Sequence, residues 1–402
     1  MFPVPAALRR PIVFAAPLLA CSALVHAAGP QWVLSANENK LDLASGSQRV
    51  FHDAAPDSLT LLDFSTFPPR TRHLTNISNT VLGPPSNVTF SPDGHFALVA
   101  DSIVLDRSRT NGWSPARHIH VLDLRQDPPR VTSISETGLQ PSGIAFSPDG
   151  RHVAAANRAD GTVSAFTFNN GQLHHVEALR IADPATEVAD VACSPDGRWV
   201  VASVNKSSVL AVLRWDGDRL VDTQRRISVY GRPYRVRFTA DGQFVLTAGA
   251  GAGNGDDIDA LSIVEVRGDT FRTTQFLPLA SGPESFELSP DGKLGVGVFM
   301  NGSNTTPGGP LFKDHGLIIL FAREGNRWVQ RQTLPTGRIP EGVTFTPDGR
   351  HVVVQCHPDR ELRMYRVAGS KLKDTGVRIP VPGMPSGMAA GPAPSRRLTP
   401  AP

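Results

Sequence analysis

Cysteine is scarce in this 402-residue chain. Cys21, Cys193 and Cys356 are the three, and no Cys-x-x-Cys-His run is among them. A disulfide scaffold and covalently held haem are therefore excluded. Also missing are a Gly-x-Ser-x-Gly nucleophile elbow, a zinc-type paired-His motif and a phosphate-cradling glycine loop. Aromatic residues make up only 7%, and the formal net charge is +3. That combination excludes the basic, aromatic-lined groove of a single-stranded nucleic-acid binder, so no nucleic-acid partner is expected. One apolar run of any length exists, Pro11 to Val25. Pro17 interrupts it, and it is too short to read as a membrane span.

The same run reads as an export signal. Arg9 and Arg10 precede it, and Val25-His26-Ala27 follows with residues suited to cleavage. Residues 1–27 are read as a signal peptide, with a periplasmic or secreted destination. The alternative within this segment is a lipoprotein box at Leu18-Leu19-Ala20-Cys21, where Cys21 would carry a lipid anchor. Arg9-Arg10 is also a partial twin-arginine signal. Residues 1–27 hold two Arg and no acid, so removing them takes the charge from +3 to +1. A nearly neutral mature protein has no large electrostatic footprint for an anionic surface.

In place of these features the chain has turns: 36 Gly and 35 Pro, which favours many short strands. The turns repeat. Phe90-Ser91-Pro92-Asp93-Gly94 returns at Phe146–Gly150, Cys193–Gly197, Phe238–Gly242, Leu288–Gly292 and Phe345–Gly349, with Thr for Ser in two copies. Pro presets φ, Asp bonds nearby backbone and Gly takes φ > 0, which together make a tight hairpin turn. Upstream of each turn a Pro-x-x-apolar-x-apolar start recurs at Pro85, Pro141, Pro233, Pro283 and Pro340, with Val188 in the sixth copy and Pro385 beginning a seventh. Units of about 45–57 residues fit four short strands each.

The seventh start lacks a turn, and the N-terminal segment supplies what is missing. Val33–Asn37 matches the second strand of the other units, and Leu59–Phe64 matches the third. The expected fold is all-β: a seven-bladed β-propeller, four antiparallel strands per blade, closed by pairing the N- and C-terminal segments. It should occupy residues 28–392, with 393–402 a loose tail. Cys193 and Cys356 fall in well-separated blades, beyond the Cα separation of about 7 Å that a disulfide tolerates.

The Phe-Ser-Pro-Asp-Gly turns, with segments such as Ala156-Asn157-Arg158-Ala159-Asp160-Gly161-Thr162-Val163-Ser164, resemble the YVTN-repeat, lactonase-like seven-bladed propellers of bacteria. The likeness spans the mature chain. It implies the propeller fold, with lactonase activity in some members and binding or surface roles in others. The His-, acid- and Arg-bearing segment of the phosphogluconolactonase branch is not recognisable here.

Function should sit where loops are long, since loops on a rigid scaffold carry most sites. Loops near 37–58, 101–117, 249–260 and 299–315 should rise from one face, opposite the repeated turns. Residues just after each repeated Pro should point to the channel mouth: Asn87, Ser142, Asp190, Tyr234 with Arg235, Glu284, Glu341 and Ser386. Glu284 and Glu341 occupy one position in adjacent blades. Paired carboxylates can raise one pKa for acid/base work or hold a cation. They are the candidate catalytic residues. Asn87, Tyr234, Arg235, Glu284, Glu341 and His357 are the candidate ligand contacts, and the acidic loop with Asp256, Asp257 and Asp259 is the candidate metal site. The two expected functions are an exported binding or scaffold protein taking a small molecule or protein on the long-loop face, and a lactonase-type hydrolase. Neither requires a cofactor, and a divalent cation is compatible with both.

Overall fold

The computed structural model describes residues 31–251 and 256–393, together with Phe2. The segment expected to be a signal peptide, with Cys21, and residues 394–402 lie outside the described residues. The repeats form seven four-stranded antiparallel sheets. Their inner strands are Met384–Ala390 (blade 1), Val88–Phe90 (blade 2), Pro141–Phe146 (blade 3), Val188–Cys193 (blade 4), Arg232–Phe238 (blade 5), Pro283–Leu288 (blade 6) and Pro340–Phe345 (blade 7).

Blade 1 closes the ring. Its inner strand Met384–Ala390 pairs with Trp32–Glu38, which pairs with Ser58–Asp63 and then Arg70–Thr75. Val33 faces Ala390, Ala36 faces Gly387 and Asn37 faces Pro385. The expected closure by the two chain ends is what the structure shows. Gln355 of blade 7 ties the seam, its amide donating to Ser35 Oγ and to the Gly387 carbonyl, both at 2.8 Å.

Each repeated turn is held by its own side chains. In the first copy Gly94 has φ +72°. The Asp93 carboxylate accepts from the His95 amide at 3.0 Å, and Ser91 Oγ accepts from the Phe96 amide at 3.0 Å. Thr239 and Thr346 keep that hydroxyl, accepting from Phe244 N and His351 N. This is why Thr, and no apolar residue, replaces Ser in two copies. The turns also touch round the ring. A Cβ at Gly150 would sit 3.4 Å from Pro92, and at Gly349 3.5 Å from Pro290. Blade 1 has no such turn. Pro392 takes its place, 3.2 Å from where a Gly94 Cβ would be.

Cores lie between blades rather than in one centre. Leu34, Leu59 and Leu61 of blade 1 pack with Val88, Val99 and Leu122 of blade 2, all nearly or fully buried. Val33, Leu62 and Met388 pack with Val353 and Met364 of blade 7. Each such side chain contributes about 1.5–3 kcal/mol, so every blade depends on both neighbours.

Two expectations about the loops change. Residues 101–117 are mostly strand: Phe96–Leu105 and Trp113–Asp123 extend as one long hairpin across a bulge at Asp101–Ile103. The 37–58 segment carries a small hairpin, Leu41–Asp42 with Arg49–Val50, folded over the channel mouth. Cys193 and Cys356 are both free thiols, as expected.

Candidate functional site

A register shift at the start of five inner strands, between Pro141 and Gly143, Val188 and Asp190, Pro233 and Val236, Pro283 and Ser285, and Pro340 and Val343, decides where each residue of the repeated start points. In four consecutive blades the residue just after the Pro faces the long-loop mouth, whereas Ser142 of blade 3 is fully buried and donates to the Ala189 carbonyl of blade 4. Tyr234, Glu284, Glu341 and Ser386, from four consecutive blades, line one cavity of about 300 Å³. The residue two after the Pro turns into the seam between blades. A Cβ at Gly387 would lie 1.9 Å from Asn87 Oδ1, and one at Gly143 2.1 Å from Asp190 Oδ1. Asn87 is therefore a seam residue, donating to the Asn79 and Ala100 carbonyls at 2.8 and 3.1 Å. This corrects its expected place as a ligand contact. One step along a strand moves a side chain to another surface.

Arg235 needs the same correction. It is 1% exposed and crosses the channel axis. One guanidinium nitrogen donates to the Pro85 carbonyl of blade 2 at 3.0 Å, and the other to Glu287 at 2.6 Å. Arg237 also reaches Glu287, at 3.1 Å, and Asp190, at 3.4 Å. Burial works to raise the Glu287 pKa, but Arg237 and Arg235 outweigh it and leave the carboxylate below its usual range. This bridge floors a second, apolar-walled funnel of about 510 Å³ on the face of the repeated turns, lined by Phe90, Phe146, Phe238 and Phe345. Arg235 thus lies behind the long-loop chamber rather than at its mouth.

Within that chamber the carboxylates sit side by side electrostatically. Burial pushes Glu284 up to about 8, with Arg158 pulling it back. Burial also lifts Glu341 well above the carboxylate range, and the Glu284 charge lifts it further. The Tyr234 phenol is held well above its usual value by burial and then by Glu284, so it stays a hydrogen-bond donor. Arg158 lies 5.7 Å from the Tyr234 ring and pairs with Glu187, which Lys206 also reaches at 2.6 Å.

His357 does line the chamber, 1% exposed. Burial pushes its pKa down to about 4, so the ring is neutral at physiological pH. The acidic loop does not join it. Asp259 is buried and structural, its two oxygens accepting from Gly251 N at 2.6 Å and Gly282 N at 2.8 Å. Asp256 and Asp257 belong to no metal-ligand group among the described residues, where the one such group is Cys356, Asp359 and Glu361.

Similarity to known proteins is strongest in the fold. A family model for the WD domain, G-beta repeat, matches residues 130–166, one blade's length. No curated protein matches the chain in sequence. A Bacteroides fragilis protein proposed to be a 6-phosphogluconolactonase superposes with TM-score 0.66 at 15% identity, covering 90% of this chain and 98% of the other. The Pseudomonas aeruginosa periplasmic gluconolactonase gives 0.64 at 19% identity, covering 90% and 100%. A functionally unknown protein from Desulfotomaculum acetoxidans gives 0.66 at 13%, covering 90% and 99%.

The fold is that of the lactonase-like seven-bladed propellers.

In this propeller the sequence reading named His357 but overlooked the second ring of positions to which it belongs. The residue that follows the second strand's pairing with the repeated Pro is Glu38 in blade 1, Arg158 in blade 3, Met300 in blade 6 and His357 in blade 7. Glu38, Met300 and His357 all line the chamber. The signal was available in the repeat alignment: four non-equivalent residues, three of them titratable, at a position where a plain scaffold has no need of them.

Proposed function

We propose that the long-loop chamber binds a small, hydroxyl-rich molecule and that Glu284 and Glu341 hydrolyse a lactone in it. The observation that carries this reading is the pair of carboxylates, Glu341 buried and Glu284 half-buried, that line one cavity of about 300 Å³ and whose pKa values burial raises. Such a volume lies at the lower end of small-molecule sites, and a pKa near the working pH is what a general base needs. Glu284 takes a proton from water as the water oxygen adds to the lactone carbonyl carbon. Glu341, protonated, gives its proton to the ring oxygen as the C–O bond breaks. Tyr234 donates to the carbonyl oxygen while it carries charge. The net change is one water added and one hydroxy acid released. Kinship in fold with a gluconolactonase supports a sugar lactone as the first substrate to try.

The test is hydrolysis of glucono-1,5-lactone, above the spontaneous rate, by the wild type and by the Glu284→Gln/Glu341→Gln double variant. Loss of at least about tenfold in kcat/KM is expected, equivalent to about 1.4 kcal/mol. The pH dependence of stability supplies a second readout. A carboxyl group whose folded pKa is raised contributes most below its unfolded pKa, and that contribution is lost as pH rises through the folded value, about 8 for Glu284. The wild-type melting temperature should therefore fall between about pH 5 and 9 more steeply than that of the double variant. Parallel curves together with unchanged hydrolysis would remove the assignment.

We further propose export. Among the described residues no helix is long and apolar enough to cross a membrane, and the Arg9–Ala27 segment has the order of a cleaved signal. Protein recovered from outside the inner membrane should begin near Ala28 or Gly29 on N-terminal sequencing. Recovery with Met1 intact from the cytoplasm alone contradicts export, and lipid labelling dependent on Cys21 converts the reading to an anchored form.

A further inference from the structure

The funnel on the face of the repeated turns is also built by the repeat. In each blade the inner-strand residue between two core-facing neighbours, as Thr89 between Val88 and Phe90, points to the channel. Round the ring that position holds Thr89, Ala145, Ala192, Arg237, Glu287, Thr344 and Ala389, and all seven line the funnel of about 510 Å³. Five of them are small, which keeps the channel open there. The two charged ones stand in adjacent blades, 5 and 6, so the funnel has one polar wall. Elsewhere Phe90, Phe146, Phe238 and Phe345 line it, with Pro92, Pro148, Pro195, Pro290 and Pro347 of the repeated turns. Its volume falls within the range of small-molecule sites.

The polar wall has donors to spare. Arg237 lines the funnel with its side chain 21% exposed. Its Nε donates to Glu287 at 3.1 Å, and its Nη1 donates to the Val236 carbonyl at 2.8 Å and to Asp190 at 3.4 Å. No hydrogen bond among the described residues uses Arg237 Nη2. Arg235 also lines the funnel, 1% exposed, and its Nε has no partner among the described residues. The acceptors are nearly spent. Glu287 Oε2 accepts from both guanidinium groups, and Oε1 accepts from the Leu288 amide at 3.0 Å. Asp190 is fully buried in the seam beside Arg237 and accepts from the Val236 amide at 2.9 Å. Burial holds its pKa above the usual range, against the pull of Arg237 and Arg235. Of the charged groups that line the funnel, two are cations and one, Glu287, is an anion. An unmet guanidinium donor beneath apolar walls is best satisfied by an anionic acceptor.

We propose that this funnel is a second binding site, for a small apolar carboxylate whose head meets Arg237 and whose body lies among the Phe and Pro walls. Charge complementarity selects the head, and the apolar lining selects the body. The site goes beyond lactone hydrolysis and does not rest on it. Gluconate and its lactone are hydroxylated along their length, and these walls would strip water from those hydroxyls without replacing it.

The experiment titrates the full mature chain with 4-phenylbutyrate by calorimetry. One saturable site per chain is expected. Two relatives of the probe dissect it: 4-phenylbutyramide keeps the ring and loses the charge, and butyrate keeps the charge and loses the ring. Each should bind at least about tenfold more weakly, equivalent to about 1.4 kcal/mol. Arg237→Gln should weaken 4-phenylbutyrate binding by about tenfold or more. Ala145→Leu, which fills the funnel from the blade 3 side, should abolish it. Glu284→Gln should leave it unchanged, which separates the funnel from the chamber. Should Arg237→Gln fail to fold, Ala145→Leu decides together with the anomalous bromine peak of 4-(4-bromophenyl)butyrate in soaked wild-type crystals, expected among Phe90, Phe146 and Phe345. The proposal is overturned by absence of saturable binding, by equal affinity for the amide or for butyrate, or by binding unchanged in both Arg237→Gln and Ala145→Leu. Loss of binding in Glu284→Gln, or a bromine peak elsewhere, overturns it as well. So does self-association of the chain through this face that Ala145→Leu abolishes.

Discussion

Removing residues 384–402 should leave a chain that does not melt cooperatively. The deletion strips the inner strand of blade 1, whose six register pairs bind it to Trp32–Glu38. It also removes the buried side chains of Met384 and Met388 and the Pro392 contact that stands in for the missing seventh turn. Several net hydrogen bonds at about 1 kcal/mol each and two apolar side chains at about 2 kcal/mol each sum to roughly 8 kcal/mol. That is most of the stability of a typical domain. The cut also exposes the inner edge of Trp32–Glu38 and the flank of blade 7, which invites association. Circular dichroism with thermal melting, beside size-exclusion chromatography, measures both effects. Deleting only residues after Ala393 should leave the melt unchanged. A cooperative, monomeric product of the longer deletion contradicts the closure.

Replacing Arg235 with Met should cost about 3 kcal/mol, the low end of what breaking a buried ion pair costs. The Met side chain keeps the apolar stem. It abandons the Pro85 carbonyl across the channel and one of the two guanidinium partners of Glu287. Arg237 remains at 3.1 Å from Glu287, and the Glu287 side chain keeps 20% exposure. Both limit the loss. Chemical denaturation at neutral pH checks the value. A loss under about 0.5 kcal/mol, ordinary for a surface substitution, would show that the bridge does not hold the ring.

The repeat made the architecture readable because its physical causes are local. Six Ser/Thr-x-Asp-Gly turns each carry their own hydrogen bonds, and a Pro begins six of the seven blades, with Val188 at the other. The unpaired seventh start at Pro385 then left Trp32–Glu38 as its partner. The site was readable only in part. Tyr234, Glu284, Glu341 and His357 do share a chamber, but Asn87 and Arg235 do not. Periodicity says which residues are equivalent and says nothing of the register shift after Pro233 that sends Tyr234 to the chamber and Arg235 across the axis. The acidic loop failed for a related reason. Composition cannot tell a carboxylate offered to an ion from one consumed, like Asp259, by two backbone amides. Glu38 was hidden because its neighbours Glu341 and His357 arrive from about three hundred residues away, through a ring closure that no local pattern encodes.

The central claim is that the long-loop chamber, and not the Arg-floored funnel behind it, receives the ligand. A crystal structure of the mature chain soaked with gluconate, the hydrolysis product of the proposed first substrate, tests it most directly. The account predicts density among Tyr234, Glu284 and Glu341 beneath the 41–50 hairpin. Density against Arg235, Arg237 and Glu287 on the face of the repeated turns, with the chamber empty of gluconate, would contradict it.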